Sequence, residues 1–204
     1  MKIKHLLYTL VAVATGSAAF AQDTPAPVFQ EGFENVKVNS KGILYCPYIY
    51  PTTKLKEGEE YTYVRGKREV CAGKISLKMA NMKEKGAYFL VLDKVIPICK
   101  ADEYFVISVD VRGKGFVQPA LINYTAKNKF VGTVGGSALS GKPGISLKKP
   151  LDTEEWTTVY FKCPRNRKMT DDGICKPAIF IYAKSEIYLD NIKIQLEKPA
   201  VKNK

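Results

Sequence analysis

The sequence predicts an all-β sandwich or barrel, built as one domain and exported from the cytoplasm. Three observations predict it. Apolar residues recur at every second position over many short runs, which is the spacing of half-buried strands. Gly and Pro punctuate those runs, and no helical stripe longer than two turns interrupts them. The first 21 residues read as a removable leader, leaving about 183 residues, enough for one real core.

The leader has a charged start in Lys2 and Lys4 and a short apolar run from Leu6 to Ala14. Ala19-Phe20-Ala21 supplies a small-x-small cleavage site, so the mature chain is expected to begin at Gln22. The apolar run is too short to cross a bilayer, and no later run is long enough for a membrane span. No cysteine follows the cleavage site, so there is no lipobox and lipid anchoring is not expected. The product is expected to be periplasmic or secreted. Residues 22–27 are expected to be a flexible N-terminus, 28–197 the sandwich, and 198–204 a flexible basic tail.

The strands follow in order. "KISLKMA" (74–80) sets Ile75, Leu77 and Met79 on one face. "AYFLVLD" (87–93) is a near-continuous apolar run. "EYFVISVDVRGKG" (103–115) alternates cleanly: Phe105, Ile107, Val109 and Val111 point one way, and Ser108, Asp110 and Arg112 the other. "VQPALINYTA" (117–126) follows a Gly-Lys-Gly turn, and "WTTVYFKC" (156–163), "AIFIYAK" (178–184) and "IYLDNIKIQL" (187–196) close the series. Segment 132–150, rich in Gly, Ser and Pro, is expected to be a long surface loop. Asp190 and Asn191 interrupt an otherwise apolar run, and a carboxylate there needs a partner.

Composition removes whole classes of chemistry. The single histidine, His5, lies in the leader, so the mature chain has no imidazole for metal binding or general-base catalysis. The carboxylate pairs Glu59-Glu60, Glu154-Glu155 and Asp171-Asp172 fall in expected turns. Adjacent strand residues also point to opposite faces, so none makes an acid/base couple. The chain is not expected to be an enzyme. Removing Lys2 and Lys4 takes the formal charge from +12 to about +10, which favours an anionic partner or simply a lysine-rich solvated surface. "YVRGKR" (63–68) mixes aromatics with cations as single-strand binders do, but the leader directs the chain away from nucleic acid, so no nucleic-acid partner is expected.

Five cysteines remain, an odd number. Cys163 and Cys175 flank a polar loop and are the first expected disulfide. Cys46 with Cys71 is the second, and Cys99 is the expected buried thiol. None has CxxC spacing, which argues against zinc and redox catalysis.

Five stretches, in order, resemble the motifs of carbohydrate-binding modules of families 4, 9 and 22. "FQEGFEN" (29–35) resembles their "gFE" opening, and "CAGKISLKMAN" (71–81) their "sGkySLkv" strand. "EYFVISVDVRGKG" is similar to "Y.lSf.vKg.g", "DTEEWTTVYFKCP" (152–164) to "lteeWq.ysf.f", and "EIYLDNIKI" (186–194) to "iyiDdV.l". The resemblance implies a galactose-binding-like jelly-roll β-sandwich of two antiparallel sheets, and non-catalytic binding of a polysaccharide or other glycan, an anionic one being favoured by the charge. It implies a structural Ca²⁺ held by Glu34 and Asp190, with Glu31 as an extra ligand. The alternative for Asp190 is a bulge or a set of backbone hydrogen bonds. The resemblance also makes Trp156 a packing residue.

Ligand-binding candidates lie on the second face of strands whose first face is core: Asp110, Arg112, Tyr124, Tyr160 and Tyr182, lining one groove if their strands share a sheet. Otherwise they are ordinary solvent-facing residues. Tyr48, Tyr50 and Tyr63 form either a loop rim or a covered sheet edge. The alternative function is a structural or protein-interaction sandwich of the cell envelope without sugar binding.

Overall fold

The computed structural model describes residues 26–199, so the expected leader 1–21 and most of the two expected flexible ends lie outside the described residues. The elements in chain order are β1 (Phe29–Glu31), β2 (Lys37–Val38), β3 (Leu44–Tyr45), β4 (Ile49–Pro51) and β5 (Glu59–Val64). Then come β6 (Ser76–Asn81), β7 (Ala87–Leu92), β8 (Ile96–Pro97), β9 (Tyr104–Gly115) and β10 (Val117–Tyr124). The series ends with β11 (Phe130–Gly135), β12 (Ser137–Ala138), β13 (Leu151–Pro164), β14 (Ile174–Tyr182) and β15 (Ser185–Glu197). No helix forms among the described residues, as the all-β reading requires.

Two antiparallel sheets pack as a sandwich. The larger runs β12-β13-β9-β15-β6-β5, and β1 continues along β15 beyond the end of β6. The smaller runs β11-β10-β14-β7-β4, with β8 also against β14. β2 and β3 form a separate hairpin ladder. Alternation decides what faces inward. Phe105, Ile107, Val109 and Val111 of β9 are buried in the core, with Val159 and Phe161 of β13 beside them. Leu90 and Leu92 of β7, Leu121 of β10, and Ile179 and Ile181 of β14 pack there from the smaller sheet.

The interruption at Asp190-Asn191 is a β-bulge. Asp190 pairs with Asp110 and Lys193 with Ser108, so Asn191 and Ile192 together stand opposite Val109. Asn191 takes a φ of 45°, which the short polar side chain of Asn tolerates. The extra residue changes the parity of the strand. Ile187 and Leu189 point inward before it, Ile192 and Ile194 after it, and all four are buried. Without the bulge the last two would face solvent.

Two expectations are corrected. Segment 132–150 is not wholly a loop: Phe130–Gly135 forms the edge strand of the smaller sheet and Ser137–Ala138 that of the larger. Strand pairing uses backbone groups, which small residues supply as well as large ones. The disulfides are also absent, since all five cysteines are free thiols. Cys163 and Cys175 lie in the core on strands of opposite sheets, and each thiol faces a backbone carbonyl: Val134 O at 3.2 Å and Ile96 O at 3.7 Å. Cys46 is buried while Cys71 is exposed beside Asp110, so that pair is not brought together. Cys99 is buried as expected.

Candidate functional site

The outer face of the larger sheet carries an open groove of about 870 Å³, within the range of small-molecule sites. Its floor is one row of the sheet. Arg112 of β9 pairs with Tyr188 of β15, which pairs with Lys78 of β6. A second bulge completes the row. Thr153 of β13 pairs with Gly113 and Thr157 with Val111, so Glu154, Glu155 and Trp156 all stand opposite Arg112. This displacement brings the indole over the guanidinium. The Arg112 guanidinium carbon lies 5.7 Å from the Trp156 ring centroid and 4.4 Å from that of Tyr188. A cation placed over two rings gains from both quadrupoles and holds all three groups in place.

Next to this stack, Gly113 lets β9 approach the β15 backbone closely. Its φ is 122°, and a Cβ there would come within 2.3 Å of the Glu186 carbonyl oxygen. The walls differ in charge. Asp152, Glu154 and Glu155 rise from β13 on one side, and Lys67 and Arg68 from the loop after β5 on the other. Lys114 and Glu186 lie between, and Glu186 is paired to Lys78 at 3.1 Å. The indole Nε1–H of Trp156 is buried and has no hydrogen-bond partner.

The expected ligand set is divided between the two sheets. Arg112 lines the groove, and Asp110 and Tyr160 share its face of the larger sheet. Asp110 is already engaged: Thr158 Oγ1 donates to it at 2.6 Å and Asn191 Nδ2 at 2.9 Å. Tyr160 has Lys142 over its ring at 5.6 Å. Tyr124 and Tyr182 belong to β10 and β14 of the smaller sheet, so the five residues do not line one groove. Alternation gives the face a residue occupies but not the sheet its strand joins. The Tyr182 hydroxyl donates to Gln118 at 2.8 Å, and Tyr124 packs edge-on to Phe130. Tyr63 is buried, Tyr48 bonds to Glu31, and Tyr50 lies on the smaller sheet, so these three form no groove rim.

Trp156 is the main correction. It is half-buried and lines the groove instead of the core. The sequence reading also misses Tyr188, and it weighs Lys67 and Arg68 only as part of the aromatic and cationic stretch 63–68, not as groove residues. The signal for Tyr188 was present, since it sits on the polar face of its strand beside Glu186.

The three carboxylates of the expected Ca²⁺ site are each surrounded by donors. Asp190 Oδ2 accepts the backbone N–H groups of Cys71 and Ala72 at 3.1 and 3.0 Å, and Ser76 Oγ lies 3.4 Å away. Its Oδ1 accepts Asn191 N–H at 2.8 Å. Burial pushes the Asp190 carboxyl above the usual aspartate range, while these donors pull it down. Glu34 Oε1 accepts the N–H groups of Lys74 and Ile75 at 2.7 and 3.2 Å. Gly73, with φ 72°, leaves room for that carboxylate, because a Cβ would fall 2.1 Å from Oε1. Glu31 accepts from Phe33 N–H and the Tyr48 hydroxyl. Calcium needs a shell of oxygen acceptors, and N–H donors pointing inward repel it, so these residues do not fit the ion. Among the described residues no group of three or more His, Cys, Asp or Glu side chains comes together as a metal site.

No family model matches the sequence, and no curated relative matches it. Among solved structures the chain is similar to a cyclase from Fischerella sp. TAU, at 11% identity and a TM-score of 0.51, over 87% of this chain and 98% of that one. It is similar to the CBM22-1 xylan-binding domain from Paenibacillus barcinonensis Xyn10C, at 13% identity and a TM-score of 0.49, over 87% of this chain and 98% of that one. It is also similar to the enzymatically active domain of Bacteriophage CBA120 tailspike protein 4, at 8% identity and a TM-score of 0.48, over 74% of this chain. The chain spans 20% of that tailspike chain. Carbohydrate-binding modules are thus among the structures it is similar to, and at these identities the likeness concerns the fold alone.

Proposed function

We propose that the chain is a non-catalytic glycan-binding module whose groove on the larger sheet holds the sugar. The observation that carries this is Arg112 fixed between Trp156 and Tyr188 on the floor of an open groove. Sugars need a flat apolar surface for their C–H faces and planar polar groups for their hydroxyls. Trp156 and Tyr188 offer the first. Arg112, Lys114 and the β13 carboxylates offer the second. The five sequence motifs described above support the same function. Asp152, Glu154 and Glu155 are exposed, which suits hydroxyl acceptors and not a general acid that depends on burial to hold its proton.

The cationic excess of the chain is not concentrated here. Lys67, Arg68, Arg112 and Lys114 are matched by Asp152, Glu154, Glu155 and Glu186. The groove therefore suits a neutral or mixed-charge glycan better than a polyanion. With the expected leader, binding takes place in the periplasm or outside the cell.

The test is retention on a panel of neutral and acidic polysaccharides at low and high salt. Retention on one neutral class that survives salt, and is lost in Trp156→Ala, is the expected result. No retention on any polymer overturns the proposal.

A further inference from the structure

The smaller sheet is apolar on both faces. Its inner face belongs to the core. On its outer face Val91, Ile122 and Ala178 form a second buried cluster, under the half-exposed rings of Phe89, Tyr124 and Phe180. Phe130 and Tyr50 extend this surface to the two edge strands and are 60% and 39% exposed. A strand that reads as a near-continuous apolar run, as "AYFLVL" does, is the kind that is covered on both sides.

Charge is equally one-sided. Lys176 is the one charged residue in the six strands of the smaller sheet, and it is paired to Asp93 at 2.6 Å. Strands β5, β6, β9, β13 and β15 of the larger sheet all carry charge. A chain of formal charge +12 therefore has one sheet face without net charge.

We infer that this face pairs with the same face of a second copy, making a back-to-back dimer. Two strongly cationic chains repel each other over most of their surface, and this face is where they meet without that penalty. Five strands at about 4.8 Å spacing and about 3.3 Å per residue give a footprint of several hundred Å², in the range of small to standard interfaces. A flat, self-complementary face suits a two-fold contact. Phe89 and Phe180 stack on each other, with centroids 4.5 Å apart and planes 19° apart, so they do not lie flat as a sugar platform.

The arrangement has a functional consequence, which rests on the groove assignment made above. The grooves lie on the outer faces of the larger sheets, so a dimer joined through the smaller sheets turns them in opposite directions. Four stacked sheets at about 10 Å spacing separate the grooves by about 30 Å. Such a dimer cross-links two glycan strands and binds an insoluble polymer with avidity.

The test is analytical ultracentrifugation of the purified protein from about 1 to 200 μM, the range in which interfaces of this size assemble. A micromolar dimer is expected, and Phe89→Lys and Phe130→Glu should each weaken it at least tenfold. Phe130 is exposed on an edge strand, so its variant tests the interface even if Phe89→Lys fails to fold. Trp156→Ala should remain dimeric. A monomer at every concentration overturns the proposal, as does a dimer that both variants leave intact. A monomeric Phe130→Glu protein should lose retention on insoluble polymer through lost avidity but keep the wild-type affinity for a soluble oligosaccharide. Loss of that affinity too would assign this face to the glycan, which also overturns the proposal. A dimer that binds no polymer leaves the interface standing and overturns only the groove assignment.

Discussion

Asp190 and Asp110 stand directly opposite each other on β15 and β9, and neither carboxylate lacks a donor. Asn191 links them: its backbone N–H donates to Asp190 at 2.8 Å and its side-chain amide to Asp110 at 2.9 Å. The bulge thus presents the donors that let two acids occupy neighbouring strands. Asp190 also holds the turn before β6 through the amides of Cys71 and Ala72, which lie more than a hundred residues away in sequence.

Replacing Asp190 with Ala removes the acceptor of those two part-buried amides and of the buried Ser76 hydroxyl. The expected cost is about 1–3 kcal/mol, the usual penalty of donors left without an acceptor. Urea unfolding measures it. Since inward-pointing donors exclude a cation, added Ca²⁺ or a chelator should leave the wild-type melting temperature unchanged. A rise of several degrees with Ca²⁺ would show that the ion displaces these donors.

Acid should act on stability in two opposed ways. The Lys176 hydrogen bond holds Asp93 below the usual aspartate range. Its contribution is present above the unfolded value of 3.8 and is lost as pH falls toward the lower folded value. Asp190 has the reverse sign. Burial raises its folded value above 3.8, so its contribution is fullest below 3.8 and declines as pH rises through the folded value. Melting temperatures between about pH 2 and 6 should therefore show a shallower acid decline in Asp93→Asn than in the wild type. Equal slopes would mean that the exposed Lys176 pair contributes nothing measurable.

The β9 alternation was fully legible in the sequence, and Phe105 to Val111 fill the core as read. Asp190 was legible as a problem, since an acid in an apolar run demands donors, but not which donors, because Cys71 and Ala72 are distant in the chain. Alternation puts Tyr124 and Tyr182 on the correct kind of face but leaves open whether their strands share a sheet with β9 and β13, because partner choice between strands depends on long-range packing. The resemblance makes Trp156 a packing residue, and the structure differs for a local reason. The three-residue bulge at 154–156 breaks the alternation, and nothing in "TEEW" distinguishes a bulged indole from an inward one.

Thiol chemistry separates the five cysteines. Partial desolvation of its thiol, reinforced by Asp110 beside it, pushes Cys71 up to about 11 although the residue is exposed, and burial pushes Cys163 and Cys175 up to about 12. The reactive species is the thiolate, so these three should alkylate slowly at pH 8. Cys71 is the exposed one and should be the one that labels in the native protein, faster in Asp110→Asn. Unfolding should release all five. Two thiols missing after unfolding without reductant would restore an expected disulfide.

Trp156 is the one tryptophan in the chain and it lines the groove, so its fluorescence reports directly on occupancy. A sugar stacked on the indole should shift or quench the emission in a saturable way, and the shift should survive high salt if stacking and hydrogen bonds carry the binding. Arg112→Lys keeps the charge but loses the planar contact with both rings, so it should weaken binding about tenfold while leaving the melting temperature within a few degrees. Arg112→Ala should behave as badly or worse. If Arg112→Lys binds as well as the wild type, charge alone is responsible and the ring–guanidinium–ring stack has no part in recognition.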